Sequence, residues 1–255
     1  MAVDRSGNYY GKKNNLKIMT KESNFEKENY IKLLYSSDKR PITDYPIKLA
    51  TYIRNNYFLT QGKFLDIGCG RGDMLKAFHD IGYDAYGTDI SPASQELVNP
   101  IPFTVCDLSK NQLDYPDNSF DFVFSKSVIE HLREPEKLLN EAYRILKPGG
   151  KFVVMTPSWM HTYAGAFYLD HTHVSPFILN SLRDAMLLAN FKNVESLHFY
   201  QLPFLWKMKF LKPLIYIFSK LPIPYAPLYD SRLPQPLNRL VRFSKELMLI
   251  SCGEK

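Results

Sequence analysis

Residues 64–72 read Phe-Leu-Asp-Ile-Gly-Cys-Gly-Arg-Gly, an apolar strand pattern that runs directly into a glycine-rich turn. A helix pattern, Asp-Met-Leu-Lys-Ala-Phe, follows at residues 73–78. Glycines at such a turn let a ligand approach the backbone closely, and N–H groups at a helix start favour a polar or anionic ligand group. The pattern predicts either a nucleotide-type cofactor site or an ordinary strand-to-helix turn.

The elements that follow favour the cofactor site. Further strand patterns lie at residues 85–89, 103–107, 120–125, 151–156, 194–200 and 246–251, with a helix pattern from Glu134 to Leu146. Strands that alternate with helices pair in parallel and place ligands at their carboxyl ends. The second strand ends at Asp89, roughly 20 residues after the turn, where doubly wound nucleotide folds hold an acidic residue against ribose hydroxyls. The third strand ends at Asp107.

Six segments, in a characteristic order and spacing, carry a resemblance to a known family. They are Leu-Asp-Ile-Gly-Cys-Gly (65–70), Gly-Thr-Asp-Ile-Ser (87–91), Cys-Asp-Leu (106–108), Ser-Phe-Asp-Phe-Val (119–123), Val-Ile-Glu-His-Leu (128–132) and Leu-Lys-Pro-Gly-Gly (146–150). The chain resembles class I S-adenosylmethionine (SAM)-dependent methyltransferases that act on small molecules, including those of quinone biosynthesis. A dinucleotide dehydrogenase fits less well, because the turn is Gly-x-Gly-x-Gly and not Gly-x-Gly-x-x-Gly.

The resemblance implies a fold and its boundaries. We expect an α/β, Rossmann-like, doubly wound sheet of seven strands, mostly parallel, with an antiparallel last strand. Residues 1–60 would form an N-terminal tail and helical cap, and residues 61–255 the methyltransferase domain. A segment at 201–243 would be an insertion between strands six and seven. Pro176 is predicted to lie in the first turn of a helix that ends near Asn190, a favoured place for proline.

The resemblance also assigns cofactor contacts. Asp66 would help to bind the ammonium of the methionine portion of SAM, directly or through water, and Gly68 and Gly70 would allow its close approach. Asp89 would bind the ribose diol, and Asp107 with the backbone of Leu108 would bind the adenine amino edge. Ser125, at the end of strand four, would border the sulfonium. The predicted cofactor-binding residues are therefore Asp66, Gly68, Cys69, Gly70, Asp89, Ile90, Asp107, Leu108 and Ser125.

Two places offer a catalytic base for a hydroxyl acceptor. His131 follows strand four, and related small-molecule methyltransferases have a histidine there near the methyl acceptor. The run Asp170-His171-Thr172-His173 lies after strand five, and in an extended loop His171 and His173 would point the same way. That pair suits a base with Asp170 as its orienting carboxylate, two metal ligands, or a loop pinned by histidine. We predict no metal, since no further clustered acid is evident, and we place His161 and Tyr163 at the pocket.

Composition limits the setting in which the protein works. The three cysteines, Cys69, Cys106 and Cys252, are few and odd in number, which favours a reducing compartment and disfavours a disulfide framework or zinc site. Residues 1–13 are polar and contain no stretch of signal-peptide kind, so we expect a cytoplasmic protein, either free or at the inner face of the membrane.

The formal charge of +6 is concentrated in the insertion. Residues 201–245 contain one acidic residue, Asp230, and eight basic residues interleaved with aromatic ones. The basic residues are Lys207, Lys209, Lys212, Lys220, Arg232, Arg239, Arg242 and Lys245. The segment suits an anionic membrane surface, an acidic or phosphorylated substrate, or a homodimer contact; packing on the domain with solvated lysines is the alternative.

The function that we predict is O-methylation of a small or carrier-linked acceptor. The run Asp-His-Thr-His-Val-Ser-Pro-Phe (170–177) resembles methyltransferases found with bacterial surface-polysaccharide enzymes, which favours a sugar, a nucleotide-sugar or a phosphorylated glycan precursor. A membrane quinone or other lipid acceptor is the alternative. Nucleic acid is disfavoured, because residues 125–128 read Ser-Lys-Ser-Val and lack the Asn/Asp-Pro-Pro-aromatic motif of many amino-directed base methyltransferases. The intact Gly68, Gly70, Asp89 and Asp107 argue against a non-catalytic relative.

Overall fold

The computed structural model describes residues 41–163, 166–226 and 234–255. The strands are β1 (Lys63–Ile67), β2 (Asp84–Asp89), β3 (Phe103–Val105), β4 (Phe120–Lys126), β5 (Leu146–Pro157), β6 (Lys192–Phe199) and β7 (Met248–Glu254). The helices are α1 (Tyr45–Ile53), α2 (Asp73–Asp80), α3 (Ser94–Val98), α4 (Glu136–Ile145), α5 (Trp159–Thr162), α6 (Leu179–Leu188), α7 (Phe204–Lys207), α8 (Lys212–Ser219) and α9 (Gln235–Lys245). Short helical turns lie at Arg54–Phe58, Ile129–His131, Phe167–Leu169 and Lys209–Leu211.

The strands form one seven-stranded sheet in the order β3-β2-β1-β4-β5-β7-β6. Strands β1 to β5 pair in parallel, and β7 runs antiparallel to both of its neighbours, β5 and β6. The predicted doubly wound sheet with an antiparallel last strand is confirmed. All the parallel strands end at the same edge, so the loops after β1, β2, β4 and β5 meet there.

Successive residues of the central strands face opposite layers of helices. Phe64 and Phe124 pack under α1 and α2, whereas Leu65 and Val123 pack under α4 and α6. All four side chains are fully buried, which stabilises the fold by about 1.5–3 kcal/mol for each large apolar residue. Asp66 falls on the α1–α2 face by the same alternation, and it is 2% exposed inside that apolar layer.

Helix α1 is the described part of the predicted N-terminal cap. Its first turn contains Pro46, where a missing N–H costs nothing, and its buried face is formed by Leu49, Ala50 and Ile53. The rest of the predicted cap, residues 1–40, lies outside the described residues. The predicted insertion contains α7, α8 and α9, although residues 227–233, with Asp230 and Arg232, also lie outside the described part.

Several predicted boundaries were wrong, and four of them have a visible cause. Pro176 does not open a helix, because Phe177 forms a bridge to Ser158 and α6 begins only at Leu179. Strand β3 ends at Val105, since a turn closed by Lys110 N–H and the Asp107 carbonyl begins there.

Strand β7 begins at Met248 and not at residue 246, because Glu246 still donates its N–H to the Arg242 carbonyl at the end of α9. Strand β5 begins at Leu146, so the predicted stop at 147–150 is part of the strand. A register shift between Phe120 and Phe122 of β4 accommodates this segment, where Gly149 has a φ of +77°.

Candidate functional site

The glycine turn after β1 leaves an open space where the backbone is exposed. Gly68 has a φ of +76°, and a Cβ there would lie 2.2 Å from Val128 Cγ2, so no other residue fits. Gly70 has a φ of +53°, but an added Cβ would meet nothing within 4 Å. The turn is therefore packed against Val128 at Gly68 and open at Gly70, where a ligand could approach the backbone closely.

Asp89 organises this turn from the end of β2. Its Oδ2 accepts a hydrogen bond from Gly70 N–H at 2.8 Å, and its Oδ1 accepts one from Ser91 N–H at 2.9 Å. The N–H groups of Gly68 and Cys69 donate to the Thr88 carbonyl. A carboxylate has about four acceptor positions, so the backbone bonds from Gly70, Ser91 and Ile90 leave Asp89 with capacity for one hydroxyl donor. The predicted ribose role fits this arrangement.

Asp66 lies beneath the turn, and its charge is strongly disfavoured. Burial raises the pKa of Asp66 to about 8, and the neighbouring Asp89 carboxylate raises it further, whereas Lys126 and the Leu75 N–H act in the opposite direction. Burial also raises the pKa of Asp89, although hydrogen bonds from Ser91, Gly70 and Ile90 favour its charged form. Two buried acids facing one turn suit a ligand that carries a positive charge, as the ammonium of SAM does.

The other predicted cofactor residues have more mixed surroundings. Ile90 is 41% exposed directly after Asp89, which leaves an apolar side chain beside the turn. Asp107 holds its own turn, because Oδ1 accepts from Ser109 N–H and Oγ–H, and Oδ2 pairs with Lys110 at 3.2 Å. Ser125 is fully buried, and its Oγ donates to the Ile67 carbonyl at 2.9 Å. Its side chain therefore ties β4 to β1, and its predicted place beside the sulfonium stays a prediction.

The loops after β4 and β5 bring two of the predicted histidines together. His131 ends the helical turn after β4, and its ring centroid lies 4.6 Å from that of His173 in the loop after β5. The loop is held in place because the N–H groups of Val174 and Ser175 donate to the Glu130 carbonyl at 2.8 and 3.0 Å. The sequence prediction treated these histidines as two separate candidates, and the fold makes them one pair.

The loop run 170–173 is not extended, and this corrects the predicted arrangement of His171 with His173. The chain turns at 171–172, where Thr172 N–H donates to Asp170 Oδ1 at 3.0 Å, so His171 is exposed while His173 packs inward. Asp170 reaches the pair through Thr172, whose Oγ1 lies 2.5 Å from Asp170 Oδ1 and 2.8 Å from His131 Nδ1. A catalytic role for His171 stays a prediction.

Within the histidine pair, His131 is uncharged near pH 7. Burial lowers the pKa of His131 to about 4, with a further lowering from His173 and an opposing effect from Asp170. Burial likewise raises the pKa of the fully buried Glu130 to about 7, while Thr156, whose Oγ1 donates to Glu130 Oε2 at 2.9 Å, favours its charged form. Sequence reasoning assigned no role to Glu130 or Thr172, although Glu130 stands in the Val-Ile-Glu-His-Leu segment beside His131.

His161 and Tyr163 lie at the start of the long excursion after β5. His161 packs against His198 with ring centroids 4.8 Å apart and bonds to Ser158 Oγ, whereas Tyr163 is 59% exposed. Their predicted place at the acceptor pocket stays a prediction.

Comparisons with known proteins agree with this architecture. The profile of the "Methyltransferase domain" family matches residues 39–196. The chain is 28% identical over 145 residues to phosphoethanolamine N-methyltransferase 2 of Caenorhabditis elegans, which is 52% of this chain and 33% of that protein. The chain therefore spans about a third of the length of this curated relative.

Solved structures show the same fold. A SAM-dependent methyltransferase from Archaeoglobus fulgidus superposes with a TM-score of 0.60 at 20% identity, covering 87% of this chain and 98% of that one. A Haloferax volcanii putative methyltransferase, solved in complex with the Trm112 methyltransferase activator, superposes with a TM-score of 0.63 at 20% identity, covering 86% and 93%.

Proposed function

Because the chain belongs to the methyltransferase domain family and is a SAM-dependent methyltransferase, we propose that it methylates a hydroxyl oxygen of a small or carrier-linked acceptor. The acceptor that we propose is a sugar, a nucleotide-sugar or a phosphorylated surface-glycan precursor. The observation that carries the proposal is the His131–His173 pair, which lies at the carboxyl edge of the sheet near the cofactor turn. An amine already has a lone pair for attack on the methyl group. A hydroxyl becomes a better nucleophile when a neighbouring group accepts its proton.

The tautomers of the pair suit this task. The Thr172 hydroxyl donates to Asp170 Oδ1, so it accepts the Nδ1–H of His131. The Phe167 carbonyl can only accept, so His173 Nδ1, 2.6 Å away, also carries the proton. With Nδ1 carrying the proton, Nε2 is the nitrogen of each ring whose lone pair can take a hydroxyl proton.

The remaining residues bind and orient. SAM supplies an electrophilic methyl group on its sulfonium, and transfer requires the acceptor oxygen in line behind that methyl. The Gly68–Gly70 backbone and Asp89 would hold the cofactor end, and the cofactor ammonium would favour the charged form of buried Asp66. The loops after β4 and β5 hold the acceptor end and are fastened to each other at the Glu130 carbonyl.

A phosphorylated acceptor is favoured by two independent points. The described part of the insertion carries Lys207, Lys209 and Lys212 within six residues and Lys220 at the far end of α8. The curated relatives include enzymes named for phosphoethanolamine, and a phosphate group is the chemistry shared with a glycan phosphate. The test is a screen of purified protein with SAM against nucleotide-sugars, sugar phosphates, phosphoethanolamine, quinone precursors and RNA, with S-adenosylhomocysteine formation as readout. Turnover on amines or RNA with none on any hydroxyl acceptor would contradict the proposal.

A lipid or quinone acceptor at a membrane surface is the second candidate, and the exposed apolar residues of α8 and the turn before it favour it. Phe210 is 75% exposed, Leu214 61%, Tyr216 55% and Ile217 63%, and the lysines named above flank them. Within the described residues, no helix has the length and apolar character needed to cross a bilayer. The surface suits peripheral contact with anionic headgroups. Flotation with anionic and neutral vesicles at low and high salt tests it: binding only to anionic vesicles, and only at low salt, is expected.

A further inference from the structure

Glu130, His131 and His173 form a compact set of metal-ligating groups at the carboxyl edge of the sheet. One carboxylate oxygen of Glu130 and one ring nitrogen of each histidine all lie within 4.8 Å of one another. The sequence shows Glu130 and His131 as neighbours, but His173 joins them only because the loop after β5 folds back onto the turn after β4. Histidine nitrogens and carboxylate oxygens are common ligands of first-row transition metals.

The hydrogen bonds around the set leave the metal-binding atoms available. Thr172 Oγ1 accepts the Nδ1–H of His131, and the Phe167 carbonyl accepts the Nδ1–H of His173. Each ring is therefore held by its Nδ1 and presents the lone pair of Nε2. Metal-binding histidines are oriented in this way, with the second ring nitrogen donating to a carboxylate, a carbonyl or a hydroxyl.

Glu130 supplies the second, independent observation. The residue is fully buried, and its Oε2 accepts the Thr156 hydroxyl at 2.9 Å. Its Oε1 has no hydrogen-bond partner among the described residues. A buried carboxylate oxygen without a partner is costly, and a bound cation removes that cost.

We propose that Glu130, His131 and His173 bind one divalent first-row transition metal ion of the Zn²⁺, Mn²⁺ or Co²⁺ class. Two histidines and one carboxylate are a recurring ligand set for such ions, and they leave coordination positions open. Zn–N bonds are about 2.0–2.1 Å, which places ligand atoms about 3.3 Å apart in a tetrahedral site. The three ligand atoms, which lie within 4.8 Å of one another, would have to move closer to reach that spacing.

The open coordination positions of the ion could bind the acceptor. Resting on the proposed function, the site would hold the acceptor hydroxyl oxygen and lower the pKa of that hydroxyl, as bound divalent ions do for water. With the ion bound, His131 and His173 would act as ligands in place of their role as bases, and the hydroxyl proton would pass to water.

The test measures binding without any acceptor. Protein stripped with a chelator is titrated with Co²⁺, and visible absorption together with calorimetry reports the stoichiometry and affinity. We expect one Co²⁺ per chain, displaced by Zn²⁺. His173→Ala and Glu130→Gln should each weaken binding at least tenfold, and Thr172→Val, which removes the hydroxyl that orients His131, about 10- to 100-fold. His79→Ala, at an exposed histidine on α2, is the control and should leave binding unchanged.

Two further measurements keep the result interpretable. S-adenosylhomocysteine binding by each variant shows that the fold is retained, so loss of Co²⁺ binding is not loss of structure. Absence of stoichiometric Co²⁺ binding, or binding that Glu130→Gln and His173→Ala leave unchanged, would overturn the metal site. Full turnover of a hydroxyl acceptor by chelator-stripped protein would overturn the ion's role and leave the proposed function standing. Stoichiometric metal binding by a protein that turns over no hydroxyl acceptor would overturn the proposed function and leave the metal site standing.

Discussion

Replacing Asp89 with alanine tests the cofactor site at the residue on which most of its geometry depends. The carboxylate accepts the Gly70 and Ser91 N–H groups at 2.8 and 2.9 Å and retains acceptor capacity for a ribose hydroxyl. A hydrogen bond to a charged group contributes about 1.5–3 kcal/mol. Loss of one such contribution weakens S-adenosylhomocysteine binding by about 10- to 150-fold, since about 1.4 kcal/mol is tenfold.

Calorimetry with two ligands separates the ribose contact from damage to the turn. Wild-type protein should prefer S-adenosylhomocysteine to its 2′,3′-dideoxy analogue, and Asp89→Ala should bind the two almost equally. Asp84→Ala is the matched control, because Asp84 is an exposed carboxylate at the opposite end of the same strand. A folded Asp89→Ala protein that keeps the wild-type preference would refute the ribose assignment, and unchanged affinity for both ligands would refute the site.

Three other predictions follow from the same structure. Because the pKa of Asp66 is raised to about 8 in the folded apoprotein, the free energy of unfolding should fall as pH rises from about 4 to about 8. Asp66→Asn should therefore raise the melting temperature more at pH 8.5 than at pH 5, whereas the exposed Asp84→Asn should not; an equal effect at both pH values would contradict the burial argument. His131→Ala and His173→Ala should slow single-turnover methyl transfer on the order of 10²-fold or more with S-adenosylhomocysteine affinity unchanged, and near-wild-type rates in both would exclude the pair from catalysis. Phe210→Ser with Ile217→Ser should abolish salt-sensitive vesicle binding and leave cofactor affinity and oligomeric state unchanged, whereas dissociation of a dimer measured by light scattering would identify the surface as a subunit contact.

The parts that local pattern determines were predictable. The strand-turn-helix at 63–80 and the acid at the end of β2 follow from glycine spacing and apolar alternation, and the structure has both. The antiparallel last strand came from the family resemblance. The start of that strand was predicted two residues too early. The Glu246 N–H still bonds to the Arg242 carbonyl of α9, although the composition of residues 246–247 suits a strand.

The acceptor end was harder to predict because it depends on contacts distant in sequence. His131 and His173 meet only through the backbone bonds between the Glu130 carbonyl and residues 174–175. Alternation in an extended loop wrongly paired His171 with His173, because Asp170 captures Thr172 N–H and turns the chain. Side-chain capping of this kind leaves little periodic signal in a sequence. The hydrogen bond from the Ser125 hydroxyl to the Ile67 carbonyl is likewise invisible in the sequence pattern, and the predicted place of Ser125 beside the sulfonium stays a prediction.

The order of the sheet has a consequence for how the chain folds during synthesis. Strand β6 is made before β7 but touches the rest of the sheet only through it, since β7 lies between β5 and β6. The five parallel strands, with the loops after β1, β2 and β4, can therefore assemble once β5 has left the ribosome. Of the strands that the structure describes, β6 then has no partner until β7 is made. A chain cut before Met248 would lose two strands from the sheet, because β6 has no other partner strand among the described residues. It would also expose the edge of β5, so the cofactor half of such a fragment would be complete in sequence yet prone to pair with other chains.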